Sequence, residues 1–216
     1  MKKLIVCLAN SKKYGERCIA GIEIVPTGGN KYKVVKDDNQ PRWIRPVSNR
    51  EHGEISTQLV KQIELFDIVE MKVTNKCPQG YQTENMLLDN ANIKSIGKLK
   101  LKTELVDKFV STKLDVIFLN RGKAVPKEKI DQVTNSLVFI KPEKVKFNSV
   151  KSLEGEEKLR SQFEFNGIPY DFPITDVDFL KRYNEISQYR NIYFTISLGV
   201  EFKDWYYKLI AGVIYF

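Results

Sequence analysis

The fold of this chain is constrained most by a succession of short apolar runs, each bounded by polar, glycine or proline residues. Short apolar runs between turn signals are typical of β-strands. They fall into two groups, with strands predicted at residues 3–9, 17–25, 32–35, 42–47 and 66–73 and at residues 137–141, 143–147, 159–165, 168–172, 193–198 and 206–215. Two groups of about five short strands predict a mainly β protein with two OB-like β-barrels and short helices between them.

The strand groups also predict the domain organisation. We expect a first OB-like barrel at residues 1–90, a lysine-rich and mostly helical connection at residues 91–135, and a second OB-like barrel at residues 136–216. Within the connection, helix-like apolar spacing occupies the second half of residues 93–110, and Pro126 favours a helical turn. Gly21 lies inside the second strand, which indicates a bulge or a tight bend.

The composition describes an ordinary globular chain, with 42% hydrophobic residues and a mean hydropathy of -0.34. No apolar run approaches the length that spans a bilayer, and the first run stops at Asn10, which is short for a signal peptide. Three cysteines without a Cys-x-x-Cys pair, and a single histidine, argue against a disulfide framework and a structural zinc site. We therefore expect a cytoplasmic protein without a membrane segment, a metal or a cofactor.

The net charge of +8 is unevenly distributed. Residues 1–60 and 94–151 carry the positive excess, whereas residues 61–93 and 152–216 are net negative. A localised positive excess is expected where one face of a protein meets a polyanion such as DNA or RNA. A solvated lysine-rich surface is the alternative.

The least ordinary stretch is residues 40–54, which holds one of the two tryptophans, three arginines and the histidine. If residues 42–47 form a strand, Trp43 and Arg45 share one face. An indole beside a guanidinium is suited to stacking a nucleobase and holding its phosphate. The alternative is a core Trp43 with Arg45 lying over it in a cation–π contact. Because charged side chains are seldom buried, we expect Arg45 to be open to a ligand.

Further candidates for nucleic-acid contacts lie in predicted loops and on one later strand. The loop after the first strand is basic and is suited to clasping phosphates, and residues 78–85 combine an aromatic ring with amides suited to base edges or sugar hydroxyls. Those amides alternatively cap their own backbone. The complete set of candidates is Lys12, Lys13, Arg17, Arg42, Trp43, Arg45, Asn49, Arg50, Tyr81, Gln82, Asn85, Lys144 and Lys146.

Two other classes of function are alternatives for this sequence. Glu70 and Lys72 form a Glu-x-Lys tripeptide on a predicted strand, and with Glu54 as an upstream acid they would resemble the site of a Mg²⁺-dependent nuclease. His52 is a weak candidate for a general base, and the chain contains neither a phosphate-binding P-loop nor a Gly-x-Ser-x-Gly elbow. An adaptor whose basic middle binds an acidic protein is the third possibility.

Several segments together resemble the dual OB-containing domain proteins of bacteria and archaea. They are LIVCLANS at residues 4–11, RCIAG at 17–21, WIRPVS at 43–48, DIVE at 67–70, YQTEN at 81–85 and SLG at 197–199. The resemblance implies two OB-like barrels, nucleic-acid binding and an association with prokaryotic defence systems, sometimes alongside helicases or nucleases. We expect a non-enzymatic binder of DNA or RNA that favours single strands, with base stacking at Trp43 or Tyr81.

Overall fold

Two units, Met1–Val110 and Ser111–Phe216, make up the chain in the computed structural model, which describes residues 1–29, 31–112, 114–151, 157–185 and 190–216. The first unit contains one-turn helices and strands of very different length. The strands are β1 (Lys2–Lys13), β2 (Glu16–Gly28), β3 (Lys31–Val34), β4 (Lys36–Asp37), β5 (Gln40–Pro41), β6 (Trp43–Val47), β7 (Asp67–Lys76) and β8 (Asn85–Lys98), and the helices are α1 (Thr57–Val60) and α2 (Thr103–Val106), the latter continued by a 3₁₀ turn at Asp107–Phe109.

Five strands of the first unit close into a barrel. Strand β1 pairs with both β2 and β7, β7 pairs with β8, β8 pairs in parallel with β6, and β6 pairs with β2. This strand order, with the short helix α1 between β6 and β7, is that of a five-stranded OB barrel. Side chains that point inward along these strands, such as Ile5, Ile19, Ile44 and Val69, form its core.

Gly21 is required where β1 and β2 approach each other most closely. A β-carbon at this position would lie 2.0 Å from the carbonyl oxygen of Val6. The register between the strands shifts next to it, between Cys7 and Ala9. The predicted irregularity at Gly21 is therefore present, and it allows the two long strands to bend around the barrel.

The second unit contains seven strands in the described residues: β9 (Ala124–Pro126), β10 (Leu137–Ile140), β11 (Glu143–Lys151), β12 (Glu157–Phe165), β13 (Ile168–Pro173), β14 (Tyr193–Phe202) and β15 (Trp205–Ile214). The helix α3 (Val177–Arg182) precedes β14, and 3₁₀ turns occupy Lys127–Gln132 and Tyr183–Glu185. One sheet has the order β10-β14-β15-β9 and the other has the order β11-β12-β13. A parallel β-bridge between Ile174 and Ile210 joins the segment after β13 to β15. It corresponds to the parallel pairing of β6 with β8 in the first unit.

Buried Asp176 connects helix α3 to β15. Its carboxylate accepts hydrogen bonds from the backbone N–H groups of Asp178 and Phe179, at 3.0 and 3.1 Å, and of Val213, at 2.7 Å. Burial raises the pKa of Asp176 to about 7, against the effect of these three donors. The side chain therefore caps the helix and holds it against the sheet.

The predicted fold class is confirmed, because the described chain is mainly β with a closed five-stranded barrel and a half-barrel. Helical turns occur where they were predicted, in the second half of residues 93–110 and after Pro126. Residues 91–98 belong instead to β8, because pairs such as Met71 with Ile93 and Glu70 with Lys94 extend the sheet there. Tertiary pairing thus overrides local sequence preference in this part of the expected helical connection. The barrel limits at residues 90 and 136 stay predictions.

Among the described helices, none combines the length and the apolar character that crossing a bilayer requires.

Candidate nucleic-acid interface

The hairpin tip between β1 and β2 carries several of the predicted phosphate contacts. Tyr14 and Gly15 form its two-residue turn, with positive φ angles of 46° and 78°. The strand register places Lys12 directly opposite Arg17. Like charges that face each other across an antiparallel pair are unfavourable. An anion bound between these two side chains would relieve their repulsion.

Glu16 attaches this tip to the loop that follows β6. Its carboxylate accepts hydrogen bonds from the backbone N–H of Thr57, at 2.5 Å, and from Nη1 of Arg50, at 2.9 Å. The bonds from Thr57, and then that from Arg50, lower the pKa of Glu16 to about 2. Arg50 is exposed, but it already has an acidic partner.

A pair of stacked rings makes a second connection between the tip and the loop. The ring centroids of Tyr14 and His52 lie 3.8 Å apart, with an angle of 22° between the planes. Asn49, also a predicted contact, is exposed on the same loop. We call residues 12–17 and 48–54 together the tip surface.

Lys13 is less accessible than its neighbour Lys12. Burial lowers the pKa of Lys13 and the nearby charge of Arg45 lowers it further, whereas Cys18 and Glu54 act in the opposite direction. Lys12 is exposed and Arg17 is half-buried. Lys12 is therefore the most open of the cations at the tip.

The expectation that Arg45 is open to a ligand is wrong. Its side chain is 2% exposed and its Nη2 lies 3.0 Å from Oε1 of Glu84, whose side chain is 3% exposed. A buried carboxylate at the start of β8 compensates the buried guanidinium, so the charge is tolerated inside the protein. Trp43, two residues earlier, is partly exposed and does not belong to the fully buried core.

Arg42 is occupied by two acidic side chains. Its Nε and Nη2 donate to the two carboxylate oxygens of Asp37, at 2.7 and 2.5 Å, and its Nη1 donates to Glu23 at 3.1 Å. Glu23 also accepts from Nζ of Lys3 at 2.6 Å. The hydrogen bonds that Arg42 donates to Asp37 raise the pKa of Arg42 and lower the pKa of Asp37. A phosphate would have to compete with this network.

The loop before β8 keeps its amides inside the protein. Gln82 and Asn85 are buried, and Nδ2 of Asn85 donates to Oε1 of Gln82 at 3.3 Å. The backbones of Gln79 and Gln82 exchange hydrogen bonds of 3.2 and 3.0 Å. The two amides therefore contact each other inside the protein, although Oδ1 of Asn85 has no hydrogen-bond partner among the described residues, and Tyr81 is partly exposed.

The second unit contains a large open cavity, which we call the basic cleft. Its volume is about 710 Å³. Strands β11 to β13 supply most of its lining, and the segment before β9 supplies the rest. The charged residues that line it are Arg121, Lys123, Lys144, Lys146, Arg160, Glu164 and Asp171. The predicted stripe of Lys144 and Lys146 thus lies in a concave site.

The acidic side chains of the basic cleft are already paired. Lys144 lies 2.8 Å from Glu164, which raises the pKa of the lysine. Arg160 holds Asp171 through its Nε at 2.7 Å and donates from Nη2 to the backbone oxygen of the same residue at 2.9 Å.

Three further cations of the cleft lack such a counterion. Arg121, Lys123 and Lys146 are exposed, and within the described ranges no carboxylate lies in ion-pair distance of them. The cleft therefore presents an uncompensated positive charge to solvent.

Comparison with known proteins establishes the family. Residues 3–213 match the dual OB-containing domain. The chain belongs to the dual OB-containing domain family. The match covers nearly the whole chain, which confirms the resemblance and agrees with an OB-like barrel in each unit. No curated protein sequence matches the chain.

Solved structures similar to this dual OB-containing protein include two HIN domains and a DNA binding protein. A tetrameric HIN2 is 9% identical, with 99% of this chain and 92% of that chain covered and a TM-score of 0.32. A HINb domain is 8% identical, with 97% and 96% covered and a TM-score of 0.35. A murine DNA binding protein bound with double-stranded DNA is 5% identical, with 100% and 96% covered and a TM-score of 0.33. TM-scores this low carry no argument about ligand.

In this dual OB-containing protein, a buried lysine fixes the rim of the basic cleft. Nζ of Lys208 donates to the backbone oxygens of Ile117 and Asn120, and to Oδ1 of Asn120 at 3.0 Å. The backbone N–H of Lys208 donates to the backbone oxygen of Lys123 at 3.0 Å. Burial lowers the pKa of Lys208 to about 7. Because the three Nζ donors each have an acceptor, we assign Lys208 a positioning role for the segment that carries Arg121 and Lys123.

The residues of the nuclease alternative are separated among other partners. Glu70 pairs with Lys2 at 2.5 Å and with Lys94 at 3.5 Å, and Lys72 pairs with Asp89 at 2.9 Å. In the part of the chain that the structure describes, no three His, Cys, Asp or Glu side chains are grouped so that they could hold a metal ion. The geometry therefore does not support a nuclease site at Glu70 and Lys72.

Sequence analysis did not single out Arg121, Lys123 and Arg160. Arg160 lies on β12, 39 and 37 positions after Arg121 and Lys123 in the segment before β9, so no local spacing connects it to them. The one signal in the sequence was the positive excess of residues 94–151, which includes the first two but not Arg160.

Proposed function

We propose that this dual OB-containing protein binds nucleic acid, and that the basic cleft holds the phosphates. The observation that carries the proposal is the uncompensated charge of Arg121, Lys123 and Lys146 in a cavity of about 710 Å³. Polyanion binding neutralises such charge and releases counterions, which is the main source of affinity for nucleic acids. Oligonucleotides bind OB barrels across their second and third strands and the adjoining loops. Strands β12 and β13 hold these positions in the second unit and line the cleft.

The tip surface is proposed as a second contact region. It presents Lys12 and Arg17 at the ends of the first two strands of its barrel, beside the connecting turn, and this connection is another place where OB barrels contact oligonucleotides. Arg50, Asn49, Trp43 and Tyr81 remain candidates at its margins because all four are at least partly exposed.

Single strands are proposed as the favoured ligand, because the basic cleft is a positively charged concavity of the kind that follows the backbone of a single strand. The resemblance to prokaryotic conflict-system proteins supports a cytoplasmic accessory or sensing role in defence, alongside a helicase or nuclease. This wider role belongs to the proposal.

The test is the salt dependence of binding to a labelled oligonucleotide, measured by fluorescence anisotropy. The triple variant Arg121→Ala, Lys123→Ala, Lys146→Ala should flatten the slope of log K against log salt by about two to three units. Lys181→Ala removes an exposed lysine outside the cleft and is the matched control. Equal slopes for the triple variant and the wild-type protein would contradict phosphate binding in the cleft.

A further inference from the structure

The hairpin tip between β14 and β15 exposes two large aromatic side chains. Lys203 and Asp204 form its two-residue turn, both with positive φ. Phe202 and Trp205 face each other across the hairpin and are 59% and 44% exposed. The two rings lie side by side and form one exposed apolar patch, and contiguous patches of this kind mark binding surfaces. We call residues 200–207 the aromatic tip.

The aromatic tip continues from the basic cleft. Tyr207 lies on the same face of β15 as Trp205, and its ring centroid is 6.4 Å from that of Phe202. Tyr207 also lines a smaller cavity of about 360 Å³, which shares Lys123 and Arg160 with the basic cleft. The aromatic rings of the tip therefore adjoin the cations at the edge of the basic cleft.

Strand β9 connects the two regions directly. Ala124 pairs with Tyr207, and Pro126 pairs with Trp205. Lys123, on the rim of the cleft, immediately precedes this strand. Lys123 and Pro126 are three residues apart, which is roughly 10 Å along a strand. The indole of Trp205, opposite Pro126, therefore lies near the rim of the basic cleft.

The carboxylates of the aromatic tip are engaged by a lysine. Nζ of Lys127 lies 2.8 Å from Glu201 and 3.6 Å from Asp204. Lys203 places its own ammonium 5.3 Å from the ring centroid of Phe202. Lys127 thus partly neutralises the acids of the tip, and a polyanion that follows the cleft would not meet their full repulsion.

We infer that a single strand of nucleic acid runs from the basic cleft onto the aromatic tip and stacks its bases on Trp205 and Phe202. This inference rests on the proposed function and adds to it a stacking site. A flat ring accepts the face of an unpaired base, which a duplex keeps covered by its neighbours. Stacking is tolerant of sequence, so the aromatic tip selects for single-strandedness rather than for a particular base.

Direct contact is measured through the fluorescence of Trp205. The chain has two tryptophans, Trp43 and Trp205, so Trp43→Phe leaves Trp205 as the sole indole reporter. Adding unlabelled oligothymidylate should quench its emission, and adding a duplex of the same length should quench it much less. Unchanged emission at a saturating concentration of the single strand would overturn the inference. A thermal melt checks that Trp43→Phe remains folded.

Affinity is measured by anisotropy for the same oligothymidylate. Trp205→Ala should weaken binding by about 5- to 150-fold, the range expected for loss of one base–aromatic stack, and Trp205→Phe should restore most of it. Duplex affinity should change little. Because Trp205 is exposed at a turn, its replacement should leave the melting temperature nearly unchanged.

The variants distinguish failure of this inference from failure of the proposed function. If the triple variant of the basic cleft loses binding but Trp205→Ala binds like the wild type, the stacking site is refuted and the cleft stands. If neither variant changes affinity, both are refuted. If Trp205→Ala abolishes self-association in sedimentation while oligonucleotide affinity is unchanged, the aromatic tip is an interface between copies of the chain and the inference is overturned.

Discussion

Arg45 and Glu84 form an ion pair of 3.0 Å, and both side chains are almost completely withdrawn from solvent. The same two residues are joined by a backbone hydrogen bond from Arg45 N–H to the oxygen of Glu84, also 3.0 Å long. The pair stands at the parallel junction of β6 and β8, where Arg45 is opposite Asn85. It therefore holds the loop before β8 against the strand that carries Trp43.

Removing one partner of this pair should destabilise the protein strongly. Glu84→Gln removes the carboxylate that pairs with the buried guanidinium of Arg45, and breaking a buried ion pair costs about 3–5 kcal/mol. The free energy of unfolding in urea measures this loss. The double variant Arg45→Met, Glu84→Leu should recover most of the stability because it removes both charges. A Glu84→Gln protein as stable as the wild type would show that the pair does not hold the junction.

Glu16 should make the stability of the protein depend on pH in the acid range. Its folded-state pKa of about 2 is below its ordinary value of 4.5, so its contribution is complete above 4.5 and is lost as the pH falls towards 2. Glu16→Gln should thus be less stable than the wild type at neutral pH, and the difference should shrink between about pH 5 and pH 2. Thermal melts across this window measure the difference. Glu51→Gln, an exposed acid on the neighbouring loop, should show no such convergence.

The tip surface should contribute separately to the salt dependence of binding. Lys12→Ala combined with Arg17→Ala should flatten the slope of log K against log salt by up to about two units, because each cation that touches a phosphate releases a counterion. Lys61→Ala, an exposed lysine elsewhere in the first unit, is the control. A slope that stays at the wild-type value would assign the phosphate contacts to the basic cleft alone.

The protein should leave oligonucleotides intact in the presence of Mg²⁺ or Mn²⁺. Glu70 and Lys72 are occupied by Lys2, Lys94 and Asp89, which leaves the tripeptide without the arrangement that a nuclease requires. Denaturing gels of labelled DNA and RNA after long incubation measure cleavage. Cleavage by the wild type that disappears in Glu70→Gln would reinstate the nuclease alternative.

Much of the architecture could be read from the sequence, because strands and turns have local signals. Apolar runs bounded by turn residues located most strands, and Gly21 marked the irregularity between β1 and β2. Strand β8 shows the limit of such signals. Residues 91–98 have no strong local preference, and only pairing with β7 makes them a strand.

The sequence by itself determined the kind of protein, a basic chain of two short-stranded barrels, because charge and hydrophobic periodicity are properties of the residues themselves. Which charges face solvent was decided only by tertiary structure. Arg45 is buried because Glu84, 39 residues later, meets it inside the protein. Lys146 on β11 lies beside Arg121 and Lys123 because its strand and the segment before β9 line the same cavity. Burial and long-range pairing depend on the whole fold, so no local pattern contains them.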